Sequence, residues 1–149
     1  MGSYIYKVIC NKKLKTKSIL FFLLLGFVVL QAQVQQVKHQ FLLFWRSDCS
    51  ACELGIKQLV AKCETLNKDS FTITTISFDT DSIAYFKAIK DHKMEGFYNQ
   101  YNFEQGYINN PLAKKYKVTK TPTLLYVDAQ GNVLAQGQEA FVALSGLKQ

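Results

Sequence analysis

The stretch FWRSDCSACE, residues 44–53, has two cysteines separated by two residues, and their role is the first question that the sequence raises. It contains Cys49 and Cys52, which follow an apolar run and open a segment with helical periodicity. If the helix begins at Cys49, its sulfur lies beside backbone N–H groups that lack helical partners, at the positive end of the helix dipole. Both features favour the thiolate, which is the attacking form in disulfide exchange. The spacing therefore predicts a redox pair, with Cys49 as the nucleophile and Cys52 as the resolving thiol.

Two structural roles for the pair stay open at this point. A zinc site needs two further ligands at matched spacing, and the two histidines of the chain, His39 and His92, are isolated. The sequence thus predicts no metal site and no other cofactor. A permanent disulfide is the other alternative, because exported proteins carry such bonds.

A further cysteine, Cys63, follows Cys52 by 11 residues. In a helix this separation is close to three turns and places the two residues about 16 Å apart on one face. Cys63 therefore cannot bridge Cys52 within that helix. It shares an apolar stripe with Ile56 and Leu59, and free cysteines are usually buried. We expect Cys63 to be a core thiol.

Charge around the pair bears on the direction of electron flow. Asp48 and Glu53 flank the two cysteines, and the two residues between the cysteines carry no charge. Nearby negative charge destabilises a thiolate and raises the pKa of its thiol. A higher pKa makes the reduced pair less stable and the couple more reducing. The sequence therefore favours a disulfide reductase, with a disulfide oxidase or isomerase as the alternative.

The N-terminal region has the pattern of an export signal. Five lysines lie within residues 1–17, no acidic residue precedes Asp48, and the apolar run ILFFLLLGFVVL follows at 19–30. This order is typical of a secretory signal peptide, and the run is shorter than the about 20 residues that span a bilayer. We predict a signal peptide over residues 1–32, cleaved after Ala32, with an uncleaved membrane anchor as the alternative. The expected location is the periplasm, and the extracellular space is the other option for an exported chain.

The formal net charge of +7 does not indicate a nucleic-acid partner, because the excess is concentrated in the predicted signal. Residues 1–32 hold five of the 18 basic residues and none of the 11 acidic ones, so the remaining chain has a net charge of +2. We therefore expect no binding to nucleic acid. No long amphipathic segment suggests a partner helix, and we expect a monomer.

The rest of the chain is predicted to be one α/β domain, residues 40–149, after a polar lead-in over 33–39. Short apolar and β-branched runs indicate strands, and capping residues such as Asn110 before Pro111 indicate helix starts. Strands are predicted at 40–45, 71–78, 121–128 and 132–137, and helices at 49–67, 79–92, from Pro111 onward and over 138–147. This order predicts a mixed central sheet of about four strands with helices on both faces.

Three separate motifs, spread over roughly residues 40–140, resemble the thioredoxin superfamily, and in particular the TlpA/ResA-type exported thiol-disulfide oxidoreductases. FWRSDCSAC, residues 44–52, is similar to the strand-to-helix motif in which a Phe-Trp pair precedes Cys-x-x-Cys. KTPTLLYVDAQGNVL, residues 120–134, is similar to the family's Thr-Pro-Thr loop and following hairpin, and NNPLAKKYKV, residues 109–118, to the short helix before it. The resemblance implies a thioredoxin-like fold and a thiol-disulfide oxidoreductase whose redox-active disulfide is the Cys pair.

The resemblance also implies roles for residues outside the pair. The Thr121–Pro122 peptide bond is expected to be cis, with Pro122 packed beside the cysteines, and the backbone of Thr121 is expected to pair with a substrate chain. Trp45 and Asp48 are expected to contact substrate. The implied partners are a disulfide-containing protein substrate and an upstream thiol reductant, expected in the membrane, that restores the reduced pair.

Three positions depart from the family pattern. Asp48 stands where thioredoxins usually have tryptophan, which changes the substrate platform and the local charge. Leu43 stands where thioredoxins carry a buried acid that assists proton transfer, so the proton acceptor for Cys52 is unassigned. Lys120 stands where relatives often have glycine. Related copper carriers add a histidine near the proline loop, which this chain lacks, and a binding module with a permanent disulfide stays open as the alternative outside enzymes.

Residues 94–109 give no clear secondary-structure pattern and are rich in aromatic residues. The aromatic members are Phe97, Tyr98, Tyr101, Phe103 and Tyr107. They either cap the active-site groove or cover the edge of the sheet as part of the core. The second role is favoured, because tyrosines commonly bury their rings while the hydroxyl stays in water.

Overall fold

The structure is a computed structural model that describes residues 38–104, 106 and 109–147. These residues belong to one compact unit, Val37–Gln149. The predicted signal peptide, its cleavage after Ala32 and the lead-in residues 33–37 lie outside the described residues. Among the helices that are described, none combines the length and apolar character that a bilayer crossing requires.

Five strands form one mixed sheet in the order β3-β2-β1-β4-β5. The strands are β1 (His39–Trp45), β2 (Phe71–Ser77), β3 (Tyr98–Gln100), β4 (Thr123–Val127) and β5 (Val133–Gln136). β1 lies at the centre, parallel to β2 and antiparallel to β4. The carboxyl ends of β1 and β2 therefore lie at the same end of the sheet as the start of β4.

Four helices are described: α1 (Ser50–Cys63), α2 (Ser82–Asp91), α3 (Pro111–Lys115) and α4 (Gln138–Ser145). The starts of α2 and α3 carry side-chain caps, of which Asn110 was predicted. Asp81 accepts hydrogen bonds from the N–H groups of Ile83 and Ala84, and Asn110 does the same for Leu112 and Ala113. Such caps satisfy backbone donors that a helix start leaves unpaired.

The core lies on both faces of the sheet because side chains alternate along β1. Phe41, Leu43 and Trp45 face one buried cluster, which α1, α2 and α4 cover. Phe44 faces the other, to which α3 contributes Ala113. The predicted α/β class, with helices on both faces of a mixed sheet, is confirmed.

The strand β3 was not predicted, so the sheet has five strands where the sequence indicated about four. It is three residues long and polar, which leaves no alternation to detect. Its central residue, Asn99, accepts a hydrogen bond from the Thr75 hydroxyl at 2.6 Å and donates to the carbonyls of Met94 and Phe97. The contact with Thr75, 24 residues away in sequence, holds β3 against β2, and sequence pattern does not report it.

Candidate active site

The two cysteines lie at the start of α1 and differ in their access to solvent. Cys49 and Cys52 form a disulfide with their Cα atoms 5.1 Å apart. Cys52 is completely buried, whereas Cys49 is only partly buried. An incoming group can therefore reach the sulfur of Cys49 and not that of Cys52.

The sulfur of Cys49 occupies the N-cap position of α1. Its backbone is extended, and its Sγ accepts a hydrogen bond from the N–H of Cys52 at 3.1 Å. In the reduced protein this N–H and the helix dipole both stabilise negative charge on the sulfur. The structure thus provides the local environment that the sequence predicted for a reactive thiolate.

The loop before β4 lies against the Cys pair. The Thr121–Pro122 peptide bond is cis, as the resemblance implied. The carbonyl oxygen of Thr121 lies 3.9 Å from Sγ of Cys49, and the Thr121 hydroxyl lies 3.8 Å from the same sulfur. A Cβ built on Gly55 would lie 3.8 Å from Cγ of Pro122, so the proline ring faces the first turns of α1. Residues far apart in sequence thus form one surface around Cys49.

Both acidic residues beside the pair are matched by cations, which corrects the charge argument made from sequence. Asp48 lies 2.5 Å from Nη2 of Arg46, and Glu53 lies 2.7 Å from Nζ of Lys57. The hydrogen bond and charge of Lys57 lower the pKa of Glu53. Arg46 lies two residues before Asp48 and Lys57 one helical turn after Glu53, so a count of the carboxylates alone overstates the negative charge beside the pair. The negative field that was to raise the pKa of Cys49 is therefore largely compensated.

Within the described residues, no three His, Cys, Asp or Glu side chains are grouped to hold a metal ion. Cys63 is buried in the core, and burial raises the pKa of its thiol to about 11. It stays protonated at neutral pH and does not compete with Cys49 as a nucleophile.

Comparison with known proteins agrees with this geometry. A family profile described as thioredoxin-like matches residues 38–133. The chain belongs to this thioredoxin-like family. No curated protein sequence matches it. Its fold and its Cys-x-x-Cys pair are those of a thioredoxin-like thiol-disulfide oxidoreductase, which confirms the family and the enzyme class predicted from the three motifs.

Solved structures share the thioredoxin-like fold of this chain. The C-terminal domain of a candidate thiol-disulfide oxidoreductase from Bacteroides thetaiotaomicron is 22% identical with a TM-score of 0.64, over 78% of this chain and 80% of that one. A thiol-disulfide oxidoreductase from Bacteroides fragilis is 25% identical with a TM-score of 0.58, over 75% and 82% of the two chains. A secreted disulfide oxidoreductase from Mycobacterium tuberculosis is 17% identical with a TM-score of 0.56, over 72% and 80%.

The predicted substrate-contact residues of this thioredoxin-like chain differ in their exposure to solvent. Around Cys49, Asp48 is exposed, and Thr121 and Pro122 are partly exposed. Trp45 is completely buried and packs against Tyr85, with ring centroids 5.8 Å apart. A side chain without exposed surface has nothing to offer a docked chain, so the predicted substrate contact of Trp45 does not fit this structure. Trp45 instead supports the loop that follows it.

The aromatic residues of 94–109 divide between core and surface. Phe97 and Phe103 pack against the main core cluster, which agrees with the favoured interpretation. Tyr98 and Tyr101 are exposed, although Tyr101 stacks on Phe103 with centroids 4.7 Å apart. Tyr107 lies outside the described residues.

Asp79 is a residue of the site that sequence reasoning missed. It is buried at the end of β2, and its carboxylate accepts hydrogen bonds from the backbone N–H of Ser47 at 3.0 Å and from the Ser47 hydroxyl at 2.7 Å. It also accepts from the Ser77 hydroxyl at 2.6 Å. These bonds fix the loop between β1 and Cys49. The available signal was an acid directly after a parallel strand, at the edge where the carboxyl ends of such strands gather.

The compensation of Glu53 by Lys57 can be tested through the reduction potential. In Lys57→Met the carboxylate of Glu53 loses its partner and destabilises a thiolate on Cys49. We expect the potential to become more negative by about 5–20 mV, the equivalent of a typical exposed charge interaction for a two-electron couple. The measurement is equilibration against dithiothreitol. Lys62→Met, in the last turn of the same helix, is the matched control, and an equal shift in both variants would contradict the assignment.

The role of Asp79 can be tested by comparing Asp79→Ala with Asp69→Ala, an exposed acid. Removal of the buried acceptor leaves the N–H and hydroxyl of Ser47 unsatisfied, so we expect the free energy of unfolding to fall by about 2–3 kcal/mol. Displacement of the loop that carries Cys49 should also slow disulfide exchange roughly tenfold. Denaturant titration and stopped-flow exchange measure the two effects. If Asp79→Ala behaves like Asp69→Ala in both, Asp79 does not position the loop.

Proposed function

We propose that this protein is an exported disulfide reductase that acts on protein disulfides through Cys49 and Cys52. The observation that carries the proposal is the asymmetry of the pair. Cys49 is accessible, lies at a helix N-terminus and contacts Thr121, whereas Cys52 is buried behind it. A nucleophile and a resolving thiol need this arrangement, and a permanent structural bond does not.

The proposed reaction moves two electrons from the reduced pair to the substrate. The thiolate of Cys49 attacks one sulfur of the substrate disulfide, whose S–S bond breaks, and the other substrate sulfur leaves as a thiolate that takes a proton from water. Cys52 then gives up its proton to water and its thiolate attacks Sγ of Cys49. The mixed disulfide breaks, and the second substrate sulfur leaves as a thiolate that takes a proton. The pair ends as a disulfide, and an upstream thiol reductant, proposed to lie in the membrane, must reduce it again.

The backbone of Thr121 is proposed to hold the substrate during this attack. The carbonyl oxygen of Thr121 lies beside Cys49. Pro122 has no backbone N–H, so it offers no donor that would compete with the substrate for a hydrogen-bond partner. An extended substrate segment that pairs with Thr121 would place its cysteine sulfur over Sγ of Cys49. This is a short form of strand addition.

The direction of reduction is supported by the modest stabilisation of the Cys49 thiolate. Strongly oxidising pairs have thiolates of very low pKa, which make the reduced form stable. Here Ser50 and Ala51 separate the cysteines, so no charged side chain lies between them. The nearby carboxylates and cations pair with one another. The helix N-terminus is left as the main stabilising influence, and it acts in thioredoxin-like reductases as well.

Export is proposed from the N-terminal pattern of the sequence. A basic segment, a short apolar run and Ala32 match a secretory signal peptide. The similar fold of a secreted oxidoreductase is in keeping with this location. In a two-membraned bacterium the compartment is the periplasm, where a monomer of this kind would meet exported proteins that carry disulfides.

A trapping experiment tests the exchange mechanism. Cys52→Ser removes the resolving thiol, so the mixed disulfide between Cys49 and substrate should accumulate and be released by dithiothreitol. Cys49→Ser is the matched control and should trap nothing, because Cys52 and Cys63, the described cysteines that remain, are both buried. Non-reducing electrophoresis and mass spectrometry of the purified variants with a disulfide-containing protein show the adduct. Absence of an adduct in Cys52→Ser would falsify the exchange mechanism.

The reduction potential of the purified protein tests the direction. We expect a value at or below about −250 mV, near that of thioredoxin. A value between about −120 and −180 mV would instead identify an oxidase or isomerase. A pair that fails to equilibrate with glutathione or dithiothreitol would identify a permanent disulfide and a binding function.

A further inference from the structure

A small cleft opens beside the Cys pair, on the side of the proline loop. Its volume is about 180 Å³, and it is lined by Arg46, Phe78, Thr119, Lys120 and Thr121. Thr121 lines the cleft and also contacts Sγ of Cys49 through its carbonyl oxygen and hydroxyl. Arg46 belongs to the loop that leads into Cys49. The cleft therefore borders Thr121, the residue whose backbone is proposed to hold the substrate chain.

The size of the cleft fits one side chain. Sites for cofactors or drug-sized ligands have volumes of roughly 300–1,000 Å³, so this space is too small for them. Its lining residues include Phe78, which is almost completely buried, and the hydroxyl-bearing residues Thr119 and Thr121. A side chain with a short aliphatic stem and a polar end would contact both kinds of surface.

The charge of the cleft indicates which polar group on a bound side chain it would attract. Two of its five lining residues are cations, Arg46 and Lys120, and none is acidic. Arg46 also forms an exposed salt bridge with Asp48. Lys120 has no carboxylate partner among the described residues, whereas Lys57 and Lys87 near the other side of the pair are each bound to an acid. Lys120 is thus a cation available to a ligand.

A second groove near Cys49, lined by residues of α1, α2 and the loop before Cys49, does not offer the same attraction. It is lined by Asp48, Glu53 and Asp91 together with Lys87 and His92. Each of its three carboxylates already has a cationic partner. The excess charge around the Cys pair is therefore on the side of the proline loop, and it is positive.

We propose that this cleft accepts the carboxylate of an aspartate or glutamate that lies next to the reactive cysteine of the substrate. The inference rests on the proposed function and adds a substrate class to it: disulfide-bearing chains with an acidic residue beside the cysteine. Lys120 is the main specificity-determining residue, and Arg46, the other cation that lines the cleft, assists it.

The test uses disulfide-linked homodimers of an eight-residue peptide with one cysteine. Three forms carry Glu, Gln or Lys one residue from the cysteine, and a second set carries them two residues away. Fully reduced protein reacts with each peptide in a single turnover, and acid quench with chromatography counts the two thiols released per disulfide. The neighbouring Glu, Gln or Lys also shifts the pKa of the leaving thiol and so changes its leaving rate. Every rate constant is therefore divided by that for reduction of the same peptide by dithiothreitol, and the ratio of these relative rates reports specificity and cancels any change in the reactivity of Cys49.

For the wild-type chain we expect the Glu peptide to react about threefold to tenfold faster than the Lys peptide at low ionic strength, with Gln between them. The ratio should shrink in about 0.5 M salt, because exposed charges are screened. Lys120→Met should bring the ratio close to one, and Lys120→Glu should reverse it. Lys62→Met, at the far end of α1, is the matched control and should retain the wild-type ratio.

The outcomes separate this inference from the proposed function. If the Gln peptide is reduced but the Glu-to-Lys ratio is one at both positions, the reductase activity stands and the cleft is not a specificity site. The same conclusion follows if Lys120→Met keeps the wild-type ratio. If no peptide is reduced, including the Gln form, the proposed function itself fails and the substrate class fails with it.

Discussion

The antiparallel register between β1 and β4 is the constraint on which the site depends. Phe44, near the end of β1, pairs with Thr123 at the start of β4. Because β1 leads into Cys49 and β4 is preceded by Thr121 and Pro122, this one pairing brings the helix N-terminus and the proline loop together across 72 residues of sequence. A shift of one residue would turn the strand's side chains to the wrong face. The central place of β1 in the sheet, with apolar side chains buried on both faces, holds that register.

The parallel neighbour of β1 supplies the second fixed point. β2 ends beside β1, and the N–H of Phe78 donates to the carbonyl of Trp45 just before the active-site loop. Asp79 then reaches Ser47 from the same edge. The loop that carries Cys49 is therefore tied to β2 on one side and lies against the proline loop on the other. Trp45, buried beneath this loop, completes the support, which explains why a residue expected at the substrate surface belongs to the core.

Local signals in the sequence were sufficient for much of this structure. The N-cap Asn110, the hairpin after Val127 and the apolar run of β1 depend on near neighbours, and each was predicted correctly. Other features depend on residues distant in sequence. The placement of Pro122 beside Cys49 followed from resemblance alone, and the polar β3 gave no pattern. The pairing of Asp48 with Arg46 and of Glu53 with Lys57 depends on side-chain direction, which a count of charges omits.

The charges around the Cys pair affect the reactivity of Cys49 and the proposed recognition of substrate at two different places. On the helix side of the pair, acids and cations neutralise one another, so the reactivity of Cys49 is governed by backbone N–H groups and the helix dipole. On the side of the proline loop, Lys120 lies next to Thr121 without an acidic partner among the described residues. Redox poise thus depends mainly on backbone geometry, which substitutions on the surface alter little. Recognition, as proposed for the cleft, depends on side chains that can change without disturbing that geometry. A small thioredoxin-like domain can in this way acquire a new substrate preference while its potential stays the same.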